Sequence, residues 1–321
     1  MIKFVWRTDV HLSDRAPASR TDDWTEAVLD KLRQTVLVAN KINANAILDG
    51  GDFFHIKSPS QNSHKLIRAV ADLHKSSTAP VYCCVGNHDC VYGDYAYLSQ
   101  QPLGVLFATG VFNRLYDEHE VVFEENGFKV RVVGVPYHGT EYDMDRFDIK
   151  KRDEDYLVVV AHVLASEKGG SMFEGEDIVR YQDIAHLDPD LWLFGHWHKD
   201  QGVTQIGSKT FVNIGSLTRG SLSQDEALRK PGVALLSFDP DKGVNVRVVR
   251  LKVQPAEEVF DIQKRDQMQA RTVTIDAFIS SIKDTLVTES GKSIEESIDD
   301  LDEVPTQVRE RALLYWEQSH R

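Results

Sequence analysis

The sequence predicts an α/β protein on three observations. Short apolar runs of strand length alternate with longer segments whose apolar residues recur at helical spacing. Turn signals such as Asp239-Pro240-Asp241-Lys242-Gly243 separate the later runs. The chain has 321 residues, 41% of them hydrophobic, enough to bury one large core or two ordinary ones. Alternation on its own points to a single doubly wound sheet.

Taken in order, Ile2 to Trp6 reads as a first strand rather than a signal peptide. Trp24 to Ile42 is predicted to be helical because Val28, Leu32, Val36 and Ala39 fall on one face. Ala46 to Leu48 is a short apolar strand, and after Ser63 the residues Leu66, Ile67, Val70 and Leu73 again follow helical spacing. Val81 to Val85, Val130 to Val135, Leu157 to Ala161 and Leu191 to Phe194 have the composition of buried strands. Thr210 to Ile214, Val233 to Phe238 and Val244 to Leu251 continue in strand texture. Residues 1–251 are therefore expected to form one catalytic domain. Residues 252–321 are expected to form a helical C-terminal extension, a small cap or a partner-docking element. In it Ile275, Phe278, Ile279, Ile282 and Leu286 mark an amphipathic helix, Ser293 and Glu296 match a capping box, and Pro305 suits the first turn of a third helix.

Composition narrows the function. Fifty acidic side chains against 37 basic ones give a net charge of −13, which argues against an extended nucleic-acid-binding surface. Of that charge, −6 lies in residues 252–321 and −7 in residues 1–251. No apolar run approaches the ~18 residues of a membrane span, so no membrane partner and a cytoplasmic location are expected. Cys83, Cys84 and Cys90 fit buried thiols in a reducing compartment better than a disulfide framework.

Five polar clusters each follow an apolar run, at what would be its carboxyl end. They are Asp9-Val10-His11, Gly51-Asp52, Gly86-Asn87-His88-Asp89, His162, and Gly195-His196-Trp197-His198. In an open α/β sheet, strand carboxyl ends form the crevice where ligands bind. Brought together, the clusters offer two carboxylates, an amide oxygen and four or five imidazoles. That mixture suits Mn²⁺, Fe or Zn²⁺ better than Ca²⁺. Seven ligands are too many for one tetrahedral ion and suit two octahedral ones if a carboxylate bridges. Asp52 is the natural bridge, since its two oxygens can hold ions ~3.5–4 Å apart. Two divalent cations against two aspartates leave a local charge of +2 that can bind and polarise a phosphodiester, with a metal-bridging hydroxide as nucleophile. His88 is the expected general acid, with Asp89 orienting its imidazole.

Together these motifs resemble the calcineurin-like metallophosphoesterase superfamily, whose signature is Asp-x-His, Gly-Asp, Gly-Asn-His-Asp/Glu, His and Gly-His-x-His. The resemblance covers about residues 1–251 and implies a four-layer αββα sandwich in place of the single sheet. It implies one metal on Asp9, His11, Asp52 and His198 and another on Asp52, Asn87, His162 and His196, with His88 at the position of the family's acid. Gly51-Asp52-Phe53-Phe54-His55, followed by Ser58-Pro59-Ser60, is similar to the SbcD nuclease branch and to stand-alone SbcD-like phosphoesterases of phage. This implies an Mn²⁺-dependent DNA exo- or endonuclease of recombination or repair, with His55 orienting the substrate. The partners implied are DNA and, through the C-terminal helices, an SbcC-like coiled-coil ATPase or a second copy of the chain. A phosphodiesterase for small or cyclic nucleotides is the alternative. Arg219, near Gly215-Ser216, is the candidate phosphate contact. Trp197 between two ligands is expected to pack, and His138 to reach the cleft only as a minor candidate.

Overall fold

Alternation within the first strand decides the layering. In β1 (Ile2–Arg7), Ile2, Phe4 and Trp6 belong to one core and Val5 to another, and all four are fully buried. A strand buried on both faces needs a covering layer on each side. The computed structural model describes residues 1–261, apart from residues 57, 91–94, 170–174, 222–225 and 227.

After β1 come α1 (Trp24–Ile42), β2 (Ala46–Asp49), α2 (His64–His74), β3 (Val81–Cys83), α3 (Pro102–Ala108) and β4 (Phe112–Arg114). The second half adds β5 (Val121–Glu125), β6 (Phe128–Val135), β7 (Tyr156–His162), β8 (Ala165–Ser166), β9 (Val179–Arg180), α4 (Tyr181–Ile184) and β10 (Leu191–Gly195). It closes with β11 (Asp200–Ile206), β12 (Lys209–Ile214), β13 (Gly232–Asp239), β14 (Gly243–Arg250) and α5 (Ala256–Val259). Two six-stranded sheets result, in the orders β14-β13-β1-β2-β3-β4 and β11-β12-β10-β7-β6-β5, with β8 and β9 as a separate pair. β1 to β4 are parallel, as are β12, β10, β7 and β6, while the outer strands β13, β14, β11 and β5 pair antiparallel.

The single doubly wound sheet is thus replaced by two stacked sheets. Between them lie Phe4, Trp6 and Leu48 against Val132, Val160, Leu193 and Val212. On the far side of the first sheet, Val5, Ile47 and Val81 pack against Val28, Leu32, Val36, Leu66 and Val70 of α1 and α2. α1 begins where Asp23 accepts the Glu26 N–H and ends at Asn43 in a left-handed conformation; α2 begins where Ser63 accepts the Leu66 N–H. On the outer face of the second sheet, Val159, Trp192, Phe194 and Phe211 are covered by Phe147, Tyr181 and Ile184. That fourth layer is thin, since α4 has four residues.

The compact unit runs from Met1 to Phe260, with Val259 and Phe260 buried in it. The helices expected around Ile275, Ser293 and Pro305 lie outside the described residues. No helix among the described residues is long and apolar enough to cross a membrane. All three cysteines are buried free thiols.

A buried polar group sits where β1 and β2 end. Arg7 Nε donates to Asp49 Oδ2 at 2.6 Å and Arg7 Nη2 to His74 Nε2 at 3.2 Å, while His74 Nδ1 donates to the Val70 carbonyl at 2.8 Å. Burial and the Arg7 charge push the His74 imidazole down to about 3. The folded state therefore keeps this ring neutral at a pH where the unfolded chain protonates it. Its contribution to stability is present above about pH 6.5 and is lost as the pH falls toward 3. His74→Gln should remove about 2 kcal/mol of the stability lost by the wild type between pH 7 and pH 5, read from urea midpoints at each pH. Parallel pH profiles for the two proteins would contradict this assignment.

Candidate metal centre

Residues that end strands of both sheets meet at one edge of the sandwich. Asp9 and His11 follow β1, Asp52 follows β2, Asn87 to Asp89 follow β3, His162 ends β7, and His196 and His198 follow β10. The turns are tied across the strand ends, with the Asp9 N–H on the Gly51 carbonyl at 3.1 Å and the His11 N–H on the Asp52 carbonyl at 3.0 Å. Among the described residues seven non-glycines have positive φ, and four of them are expected ligands: Asp9 at 51°, His11 at 49°, Asp52 at 53° and His196 at 84°. Non-glycine residues are held there only when their surroundings over-determine them, and such strain collects at functional sites. The motif glycines permit the approach. A Cβ on Gly86 would lie 2.1 Å from Asp52 Oδ1, and one on Gly195 would lie 2.4 Å from Thr8 Oγ1 and 3.0 Å from His162 Nδ1.

The donor atoms of Asp9, His11, Asp52 and His198 lie within 4.8 Å of one another, as do those of Asp52, His162 and His196. His11 Nε2 and His198 Nε2 are 2.9 Å apart, and His162 Nε2 is 3.3 Å from Asn87 Oδ1. Asp52 Oδ2 is 3.4 Å from His162 Nε2 and 3.7 Å from His11 Nε2, and Asp9 Oδ1 is 3.7 Å from His198 Nε2. Neighbouring donors around one ion with bonds of about 2.1 Å stand about 3.0 Å apart, and opposite ones about 4.2 Å apart. The observed separations, from 2.9 to 3.7 Å, lie within that interval or at its lower edge, so the set fits two cations sharing Asp52. The two carboxylate oxygens do not divide the work as expected, however. Oδ1 accepts the His88 N–H at 2.7 Å, and Oδ2 alone faces both histidine groups.

Charge in the site is balanced tightly. Burial alone would raise the Asp52 carboxyl, but His162 beside it, then His11, hold it well below the ordinary carboxylate range. Burial would lower His162, yet the Asp52 charge pushes its imidazole up to about 9. His162 Nδ1 donates to the Gly50 carbonyl at 2.7 Å, which turns Nε2 toward Asp52 and Asn87. Burial, then the neighbouring His198, carry His11 well below its usual range and keep it a neutral donor. Asp9 receives the His196 N–H on both oxygens, at 3.0 and 3.1 Å, and the Thr8 hydroxyl at 2.7 Å.

His88 and His55 stand beside this group. Their rings stack at 5.1 Å, His55 Nδ1 is 3.2 Å from His11 Nδ1, and His88 Nδ1 donates to the His55 carbonyl at 2.7 Å. Burial and the neighbouring His88 lower the His55 imidazole. His55 and His198 are exposed and His88 is half-buried, so the cluster has an open face.

Two residues sit differently from expectation. Asp89 does not orient the His88 imidazole, because it is buried below the turn and spent on the backbone. It accepts the N–H groups of Asp52 at 2.7 Å, Gly86 at 3.0 Å, Phe53 at 3.1 Å and Phe54 at 3.4 Å. Burial and the Asp52 charge push its carboxyl up, against the pull of these donors. Arg219 is 6% exposed, with Nη2 donating to the Gln254 carbonyl at 2.6 Å and its guanidinium over the Phe260 ring at 5.6 Å. It pins the segment before α5 and its end, and these contacts do not aim it at a phosphate. Trp197 is buried in the outer core as expected, and His138 packs on Tyr142 and Phe147.

Sequence reasoning missed Glu176, whose Oε1 lies 2.9 Å from His196 Nε2, and Arg229, which binds Glu226, the Ser216 and Thr218 carbonyls and the Ser216 hydroxyl. Glu176 carries no motif around it. Arg229 carries none either.

A four-layer α/β sandwich with an Asp/His/Asn cluster at the strand ends defines a metal-dependent phosphoesterase, a hydrolase. The chain belongs to the calcineurin-like phosphoesterase family, whose model matches residues 2–200, and this family typically holds two divalent metals. Among solved structures it is similar to a dimetal phosphatase from Danio rerio, with 11% identity, a TM-score of 0.49, and coverage of 78% of this chain and 99% of that one. It is also similar to the calcineurin-like phosphoesterase YfkN from Bacillus subtilis, with 12% identity, a TM-score of 0.49, and coverage of 79% and 93%. Purple acid phosphatase PPD1 from yellow lupin seeds is similar at 14% identity and a TM-score of 0.48, over 78% of this chain and 51% of that one. No curated protein matches the chain.

The placement of Asp89 is testable by stability. Asp89→Ala strands several buried N–H groups and should cost about 3 kcal/mol or more in urea denaturation, while Asp89→Asn, which keeps one acceptor oxygen, should lose less. An alanine variant as stable as the wild type would put the carboxylate back on His88.

Proposed function

We propose that the chain is a two-metal phosphodiesterase acting on DNA, an Mn²⁺-dependent nuclease of SbcD type in recombination or repair. The observation that carries this reading is the convergence of seven metal donors beside two stacked histidines on an open face. Asp9, His11, Asp52 and His198 would hold one ion, and Asp52, Asn87, His162 and His196 the other. Two divalent cations bound there would polarise a phosphodiester and lower the pKa of water to supply the nucleophile.

The chain's own residues do the rest. His88 is held at Nδ1 by the His55 carbonyl, which leaves Nε2 to pass a proton to the departing oxygen. His55, fixed against His11 and His88, orients the phosphate ester from the exposed side. That exposed side and the Gly51 to His55 motif favour a polymer over a small nucleotide. Two dications bring residues 1–251 from −7 to about −3, with the positive charge concentrated at the strand ends. Grip on DNA beyond the reacting phosphate would then come from an SbcC-like ATPase or a second copy of the chain.

With Mn²⁺ the purified protein should degrade single- or double-stranded DNA, and Asp52→Ala should reduce this to background. A protein that hydrolyses bis-p-nitrophenyl phosphate but leaves both DNA forms intact would overturn the nuclease, and turnover of cyclic nucleotides in the same panel would establish the alternative substrate class.

His88→Gln separates the acid from the ligands. It should still bind two Mn²⁺ in calorimetry yet lose about 10²–10⁴-fold on DNA, with a much smaller loss on bis-p-nitrophenyl phosphate, whose leaving group departs unprotonated. Equal losses on both substrates would remove His88 from that role.

A further inference from the structure

We propose that Glu176 is a positioning residue of the metal centre, its carboxylate fixing the tautomer of His196 so that Nδ1 presents the lone pair to the second cation. The proposal rests on the two-metal reading of the site. Glu176 Oε1 lies 2.9 Å from His196 Nε2, and the two side chains are 8% and 9% exposed. A carboxylate only accepts, so the nitrogen facing it carries the hydrogen. A neutral imidazole has one N–H, which puts the metal-binding lone pair on Nδ1.

Glu176 is itself held from behind. Tyr142 Oη donates to the same Oε1 at 2.7 Å and accepts the Leu164 N–H at 2.8 Å. The adjacent Asp177 accepts the Tyr142 N–H at 2.9 Å and donates its own N–H to the Thr140 carbonyl at 2.9 Å. A relay thus runs from the backbone two residues beyond His162, through Tyr142 and Glu176, to the ring of His196. The two histidines of the second cation are oriented by opposite nitrogens. His162 is tied at Nδ1 to the Gly50 carbonyl and presents Nε2, whereas His196 is tied at Nε2 and presents Nδ1. The donors that fall within 4.8 Å of one another are those of Asp52, His162 and His196, and Glu176 is not in that group, as a residue acting through His196 should not be.

Two measurements test this on the full-length chain. Calorimetry with Mn²⁺ should show Glu176→Ala weakening one of the two ions about 10–100-fold and leaving the other unchanged. Glu176→Gln, whose amide oxygen still accepts from Nε2, should stay closer to the wild type. In the metal-free protein, a long-range ¹H–¹⁵N spectrum should show the His196 ring, assigned by its loss in His196→Asn, as the Nε2–H tautomer. That signature should become mixed in Glu176→Ala. Wild-type affinity for both ions in the alanine variant, an Nδ1–H ring in the wild type, or a loss in Gln as deep as in Ala would each overturn the proposal, the last by making the carboxylate itself a ligand. The spectrum is recorded without metal, so it judges Glu176 separately from the reading of the site, which would fail if the wild type bound fewer than two ions.

Discussion

Four backbone N–H groups from two different turns converge on the buried carboxylate of Asp89. Gly86 belongs to the turn after β3, and Asp52, Phe53 and Phe54 to the turn after β2, so one side chain locks the two strand ends together. The rest of the centre follows from that lock. With the turns in this register, the His88 N–H meets Asp52 Oδ1 and leaves Oδ2 facing His11 and His162. Gly86 must lack a Cβ because Asp52 Oδ1 occupies its place. The aspartate of the Gly-Asn-His-Asp motif thus holds Asp52 through the backbone, and His88 takes its orientation from the His55 carbonyl instead.

Electrostatics explains why such an arrangement needs cations. Asp9 and Asp52 are buried, and the imidazole nearest Asp52 balances it by holding a proton far above its ordinary range. A buried carboxylate without a compensating charge is expensive, and one protonated imidazole is a weak substitute for two dications. Two dications would supply more positive charge to these buried carboxylates than one imidazole can. This changes the meaning of the acidic composition. A net −13 distributed over the surface repels DNA, but the charge that matters to a phosphodiester is the local one at the strand ends.

Much of this was legible in the chain, and the divisions are physical. The apolar run Ile2 to Trp6 and the helical face Val28-Leu32-Val36-Ala39 reported true core positions, because apolar patterning and burial are linked directly. The number of sheets was not readable from alternation, since a strand buried on both sides looks the same in one sheet or in two stacked ones. The convergence of Asp9, His11, Asp52, Asn87, His162, His196 and His198 was legible because a polar residue soon after an apolar run lies at a strand's carboxyl end, where ligands bind. The roles of Asp89 and Arg219 were misread for one reason: sequence shows proximity along the chain, whereas both side chains bond to backbone that sequence cannot place. Glu176 was invisible because its partner is 20 residues away and nothing local marks it.

The same physics accounts for the left-handed residues. Asp9, His11, Asp52 and His196 each adopt a backbone conformation that costs a side-chain-bearing residue on the order of 1 kcal/mol or more. Asp9 and His11 lie in the turn just past β1, Asp52 in the turn past β2 and His196 just past β10, where the left-handed conformation bends the chain away from the strand's straight continuation. Glycine would adopt that conformation freely but offers no donor. The strain is therefore the cost of placing a donor side chain where a glycine would be most comfortable. The Asp89 network, the Asp9 contacts with the His196 N–H and the Gly51 carbonyl, and the thick cores on either side of the first sheet supply the stability that offsets it.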